Sequence, residues 1–137
     1  MKNFKKLIII TGTSGVGKGT VVKEILDNNS DIWLSISATT RKPRKGEKDG
    51  ENYYFLTDES FKDMIDNKEF LEWAQFAGNY YGTPLATVNE KIEKGFIVLL
   101  EIEIEGAKQI KDKFPEALSI FLLPPSKEEL EKRIRKR

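Results

Sequence analysis

"KLIIITGTSGVGKGTVVKEIL", residues 6–26, decides how the chain is read. Lys6 to Thr11 is a β-branched run suited to a buried strand, and it breaks into glycines. Val21, Val22, Ile25 and Leu26 then recur at the spacing of one helical face. The stretch is therefore strand, glycine loop, helix. Inside it, Gly12-Thr13-Ser14-Gly15-Val16-Gly17-Lys18 fits G-x-x-x-x-G-K, the pattern of a phosphate-binding loop. Such glycines let backbone N–H groups converge on phosphate oxygens, the following helix N-terminus adds positive potential, and Lys18 adds a mobile cation. The other reading is a strand-to-helix turn whose glycines serve packing alone. One position departs from the pattern: Gly19 follows the lysine, so the hydroxyl that normally ligates Mg²⁺ arrives late, on Thr20.

The rest of the chain repeats the alternation. Ile32 to Ala38 reads as a second strand, and Arg41 to Asn52, with its Pro, Gly and charges, as an exposed loop without core residues. Thr57 or Asp58 can cap a helix burying Phe61, Met64 and Ile65. Thr83 with Pro84 signals the cap and first turn of a helix showing Leu85, Val88 and Ile92 before Gly95. Between these, "EFLEWAQFAGNYYG" suits strands and a turn. Phe96 to Ile102, "FIVLLEI", has the continuous apolar character of a buried parallel strand. A helix with Ala107, Ile110 and Phe114 on one side follows. Leu118 to Leu123 reads as another buried strand, and Ser126 with Glu129 as a capping box for a basic final helix. Strands alternating with helices predict an α/β fold with a parallel β-sheet core flanked by helices.

Composition narrows the function. Twenty-three Lys and Arg against 22 Asp and Glu leave the charge near zero, so nothing global calls for nucleic acid or an acidic membrane. No Cys means no disulfide and no thiolate chemistry, and no apolar run is long enough to span a membrane or direct secretion. A cytoplasmic protein is expected. His is absent as well, which removes the commonest general base and metal ligand. Carboxylates remain: Glu101 and Glu103 close the "FIVLLEI" strand, where enzymes with a phosphate loop place the acidic group that holds a metal or its waters. In a continuing strand the two would share a face. Ordinary solvated carboxylates beyond a strand end are the alternative.

"SATTRKPRKGEKDGENYYF", "EFLEWAQFAGNYYGTP" and "FLLPPSKEELEKRIRKR" together with the glycine loop resemble the guanylate kinase family, from Leu7 to Arg137. The resemblance implies a P-loop NTPase fold with a small mixed α/β GMP-binding insertion, and transfer of the γ-phosphoryl group of ATP to GMP or dGMP with Mg²⁺. It implies a division of the chain into a core at 1–34 and 96–137, which includes the start of a lid, and a GMP-binding region at 35–95. Gly12 to Thr20 would bind ATP. Ser37, Arg41, Arg44, Glu47, Tyr53, Glu72, Tyr81, Thr83 and Glu103 would surround GMP, and Lys18, Arg41, Arg133 and Arg137 would stabilise the transferring group. Glu101, directly or through water, would serve the metal, with Thr20 as a further candidate.

Those residue types suit the chemistry. A carboxylate such as Glu72 can accept the two adjacent donors of guanine's Watson–Crick edge, whereas adenine presents an acceptor beside its amino group. The hydroxyls of Ser37 or Thr83 can reach O6, while Arg41 and Arg44 suit the acceptor phosphate, with Tyr53 and Tyr81 as further donors. Phosphate monoesters have a second pKa near ~6, so GMP is already mostly dianionic and no histidine is needed. Phosphoryl transfer asks for positioning and charge stabilisation instead. Taken without the resemblance, Arg41 and Arg44 sit in a stretch of five cationic and two anionic side chains that would read as solvated surface, Trp73, Tyr80 and Tyr81 would read as core aromatics, and the tail would read as a solvated helix end.

Departures from the family pattern are Glu103 where Asp is common, Thr13 where Pro is common, and the Gly19–Thr20 order, which some bacterial members share. Family members also continue past the equivalent of Arg137, so the 137 residues are expected to bind GMP and phosphate better than they catalyse. A guanylate-kinase-like binding module, which typically loses the phosphate loop, and another P-loop small-molecule kinase, which would lack Glu72 and "GNYYGT", are the competing classes. Sequence says nothing of oligomeric state.

Overall fold

The computed structural model describes residues 6–12 and 18–122. Thr13, Ser14, Gly15, Val16 and Gly17, the expected capping box at Ser126 and Glu129, and the tail with Arg133 and Arg137 lie outside the described residues. The described residues form two four-stranded sheets. The first contains β1 (Leu7–Gly12), β2 (Ile32–Leu34), β7 (Ile97–Glu101) and β8 (Leu118–Leu122), in the order β2-β7-β1-β8, all parallel. The second contains β3 (Ala38–Thr39), β4 (Tyr54–Phe55), β5 (Phe70–Phe76) and β6 (Asn79–Pro84), in the order β4-β3-β6-β5 with mixed direction. Among the described residues four helices accompany them: α1 (Lys18–Asn28), α2 (Asp58–Asp66), α3 (Leu85–Glu93) and α4 (Ile104–Lys113).

The parallel sheet is covered on both faces because its two central strands are apolar from Leu7 to Ile10 and from Ile97 to Leu100. Leu7 and Ile9 of β1, with Val98 and Leu100 of β7, pack against Val88 and Ile92 of α3 and Ala107 and Ile110 of α4. Ile10 and Leu99 turn the other way, onto Val22 of α1, with Ile8, Ile25 and Leu26 around them. Two-residue periodicity thus sends alternate side chains of one hydrophobic run to two separate cores. The second sheet has its own small core, in which Phe61 of α2 stacks on Phe70 at 4.4 Å and on Tyr80 at 5.2 Å between ring centroids. Thr57 caps α2, its hydroxyl accepting from the Ser60 N–H at 3.1 Å.

Four expectations are corrected. The single strand at 32–38 is two: β2 ends at Leu34, and β3 starts at Ala38 in the other sheet, with Ser35–Ser37 crossing between them. Thr83 does not cap α3. The N-cap is Pro84, in extended conformation and without a side-chain cap bond, because the Thr83 hydroxyl is committed to Glu72. The strand at β8 forms as expected but is not buried: Leu118 is 54% and Phe121 44% exposed, and among the described residues only β1 pairs with it. Glu101 and Glu103 do not share a strand face, since β7 ends at Glu101 and Glu103 is already the N-cap of α4.

Candidate functional site

A cleft of about 310 Å³ lies between the two sheets. Lys18, the first residue of α1, and Glu101, Ile102 and Glu103, at the end of β7, line one wall. Ser37, Arg41, Arg44, Tyr53, Glu72 and Tyr81 line the remainder, with Ala74, Phe76, Gly82 and Gly106. The crossing at Ser35–Ser37 and the C-terminal end of a central parallel strand meet here, which is where open α/β sheets bind ligands.

Glu72 is the chemical centre of one end. It is 5% exposed, and its carboxyl is pushed above the ordinary range by burial, against the opposing effect of Thr83's hydrogen bonds. Thr83 Oγ1 donates to Glu72 Oε2 at 2.7 Å. Glu103 across the cleft raises the Glu72 pKa further, by like-charge repulsion, and Lys113 lowers it slightly. The sequence puts Glu72 here through a bulge. Phe70 pairs with Pro84 and Glu72 with the adjacent Thr83, so Leu71 is the extra residue of β5. Regular alternation would place Phe70 and Glu72 on one face; instead Phe70 enters the small core, Leu71 the large core, and Glu72 the cleft. A second requirement is met by α4. A Cβ built on Gly106 would collide with Glu72 Oε1 and stand 3.0 Å from its Cδ, so the carboxylate occupies a notch that only glycine leaves open.

The other end is cationic and rigid. Glu47 accepts from Arg41 Nη1 at 2.9 Å and Nη2 at 3.0 Å, and from the Arg44 backbone N–H at 2.7 Å. This fork holds Glu47 well below the ordinary carboxylate range, at about 2, first through Arg41's hydrogen bonds and then through the Arg44 N–H. Arg41 is held correspondingly above the usual guanidinium range, chiefly by Glu47, with Tyr53 and Tyr81 assisting. Its guanidinium also lies 5.1 Å from the Tyr53 ring centroid and 5.9 Å from that of Phe55. Thr39 ties the arm down: its hydroxyl accepts from the Arg41 N–H at 3.2 Å and donates to the Tyr80 carbonyl at 2.9 Å. The loop that reads as solvated in sequence is thus locally ordered around its arginines.

Of the sequence-derived residues, Lys18, Ser37, Arg41, Arg44, Tyr53, Glu72, Tyr81, Glu101 and Glu103 converge on the cleft. Glu47 and Thr83 stand behind it, one holding Arg41 and the other Glu72. Gly12 ends β1, while Gly19 and Thr20 are exposed in the first turn of α1. Trp73 is 37% exposed, whereas Tyr80 packs in the small core, so the neighbouring aromatics divide between surface, core and site. Gly106 was missed by the sequence reading. Its only signal is a glycine in the first turn of a helix, where such a residue costs stability unless something approaches closely.

The chain is similar to known proteins along most of its length. The guanylate kinase family model matches residues 4–137. A guanylate kinase of Prochlorococcus marinus subsp. pastoris is 85% identical over the whole chain, which covers 74% of that relative. A guanylate kinase of Synechococcus elongatus is 56% identical over 96% of this chain and 72% of its own length. The crystal structure of guanylate kinase from Anaplasma phagocytophilum superposes with a TM-score of 0.76 at 38% identity, covering 95% of this chain and 66% of that one.

Proposed function

The chain belongs to the guanylate kinase family, whose members transfer the γ-phosphoryl group of ATP to GMP, and on that premise we propose how its residues divide the work. The cleft takes GMP. Glu72, ionised, accepts the two donors of guanine's Watson–Crick edge, and Ser37 offers a hydroxyl to O6, the Thr83 hydroxyl being engaged by Glu72. Arg41, Arg44, Tyr53 and Tyr81 receive the acceptor phosphate, with Glu47 as the brace that holds Arg41 in place. Residues 35–95 are then the acceptor side. Gly12 to Thr20 cradle the ATP phosphates on the donor side, where Lys18 reaches into the same cleft, and Arg133 and Arg137, outside the described residues, are the further cations of the reading.

Mg²⁺ fits the donor set. Glu101 and Glu103 present hard oxygens on the donor wall, and Mg²⁺ typically takes one or two carboxylates together with phosphate oxygens and water. Bound with ATP, Mg²⁺ would supply positive charge to the phosphate groups, with Glu101 and Glu103 as the residues that would hold it. No residue has to abstract a proton, because the acceptor phosphate arrives dianionic at neutral pH. Lys18, Arg41, Arg133 and Arg137 supply positive charge around the transferring group, and a cleft closed over both nucleotides would exclude water. A cytoplasmic setting agrees with the substrates, and no helix among the described residues is long and apolar enough to cross a membrane.

The observation that carries this reading is the buried Glu72 at one end of a cleft whose other end is the braced Arg41. ADP release measured with GMP, dGMP, AMP or no acceptor tests it. We expect release with GMP and dGMP and little with AMP. Equal rates on GMP and AMP would overturn the role given to Glu72.

A further inference from the structure

β5 is the last strand of its sheet, and α4 packs along it. An unpaired strand edge leaves alternating N–H and C=O groups to be satisfied. Here α4 satisfies them with side chains. Gln109 Oε1 accepts from the Trp73 N–H at 3.3 Å, and Gln109 Nε2 donates to the Trp73 carbonyl at 2.7 Å. This two-way amide bridge copies what a neighbouring strand would offer. One turn further along, Lys113 Nζ donates to the Leu71 carbonyl at 3.4 Å. One turn earlier, Gly106 leaves the notch that Glu72 Oε1 fills. Positions 106, 109 and 113 lie on one helical face, so residues 71, 72 and 73 each meet α4.

The helix that makes these contacts is itself fixed to the parallel sheet by Ala107 and Ile110 in the large core. Glu72 therefore takes its main-chain position from the donor-side sheet through α4, as well as from Thr83 across its own sheet. We infer that Gln109 is a positioning residue for guanine recognition, holding the backbone beside Glu72 so that both carboxylate oxygens align with the base. The inference rests on the reading that Glu72 meets the guanine edge. Two parallel bonds tolerate little displacement, whereas a single bond tolerates more. Loss of the bridge should therefore cost a ligand with two adjacent donors more than one with a single donor.

GMP and IMP make that comparison, because hypoxanthine keeps the ring N–H and lacks the amino group. Titration calorimetry of both nucleotides on the 137-residue chain, with Gln109→Leu, Gln109→Glu and Glu72→Gln, tests the inference. Gln109→Leu should weaken GMP about tenfold and IMP only about twofold, since an exposed pair of neutral hydrogen bonds is at stake. Gln109→Glu keeps an acceptor for the Trp73 N–H but sets an oxygen against the Trp73 carbonyl, so it should shift the GMP:IMP ratio the same way. Both should retain a cooperative thermal transition. If the two variants leave the ratio unchanged while Glu72→Gln abolishes it, Gln109 has no positioning role and the underlying reading stands. If Glu72→Gln also leaves it unchanged, the reading of Glu72 itself fails. Equal weakening of both nucleotides, or loss of folding in both variants, would make Gln109 a purely structural residue and overturn the inference.

Discussion

Gly106→Ala sets two effects of opposite sign against each other. In a helix, replacing glycine by alanine ordinarily adds about 1 kcal/mol of stability. At this position the new methyl would collide with Glu72 Oε1 and crowd its Cδ at 3.0 Å and the Ile102 side chain at 3.4 Å. One escape is rotation of Glu72, which breaks the 2.7 Å bond from Thr83 at about 1.5–3 kcal/mol for a hydrogen bond to a charged group. The other is a shift of α4, which as overpacking costs about 1–3 kcal/mol. Neither cost falls below the propensity gain, so the variant should be less stable by up to roughly 2 kcal/mol and melt up to about 6 °C lower for a chain of this size. GMP affinity should fall further. Misaligning a carboxylate that accepts two charge-assisted bonds forfeits up to about 3–6 kcal/mol, or roughly 10²- to 10⁴-fold at about 1.4 kcal/mol per decade. Thermal melts with calorimetric titration of GMP and ATP read both effects, and ATP binding should change far less. In a Glu72→Ala background the collision is gone, and Gly106→Ala should then stabilise by about 1 kcal/mol. A single Gly106→Ala variant that melts higher and binds GMP normally would refute the notch.

Glu47→Gln removes the charge that grips both Arg41 nitrogens, so GMP affinity should drop about fivefold while guanosine, which has no phosphate, binds unchanged; equal losses on both ligands would show that the brace serves the base end. Glu47 and Glu72, the shifted carboxylates at the two ends of the cleft, predict opposite pH behaviour. Glu47, lowered from 4.5 to about 2, contributes stability that is fully present above about pH 4.5 and is lost as pH falls toward 2, and salt should weaken it. Glu72 is raised by burial, so its charged form burdens the fold above its own pKa, and acid relieves that burden. Acidification from pH 7 should therefore erode GMP binding before it erodes folding. The affinity ratio of wild type to Glu72→Gln cancels the nucleotide's own titration, and a ratio constant down to pH 4.5 would contradict the assignment. Ala77 sits at φ +52° in the β5–β6 turn, followed by Gly78 at φ +82°. Ala77→Asn should raise the melting temperature by about 2–3 °C, corresponding to about 0.5–1 kcal/mol, because Asn-Gly suits that turn; a lower value would contradict it.

Much of the molecule is legible in one dimension because its signals are local. The β-branched run before Gly12, the apolar run ending at Glu101, and the 3.6-residue spacing of Val88 and Ile92 each reflect nearest-neighbour sterics and the burial of one face. Thr57 as a cap follows from a single side-chain bond to an N–H three residues on. The errors fall where a residue's partner is distant. Thr83 carries every local mark of a helix cap, yet a buried carboxylate on the adjacent strand makes a stronger claim on its hydroxyl. Ile32 to Ala38 is uniformly extended, and nothing local tells it to change sheets at Ser35. Leu118 to Leu123 looks buried in the sequence because apolar composition does not say which strand ends a sheet.

The amino-acid sequence by itself determined the α/β class, the phosphate loop and, by resemblance, the family and most of the residues that line the cleft. Tertiary structure alone decided which of the candidate residues line the cleft and which stand behind it. It put the bulge at Leu71, set Glu47 on Arg41 rather than in the cleft, and made Gly106 the notch for Glu72. The physical reason is that propensity and periodicity act over a few residues, whereas the desolvation of a buried carboxylate is settled by whatever polar groups and empty space the whole fold brings within about 3 Å.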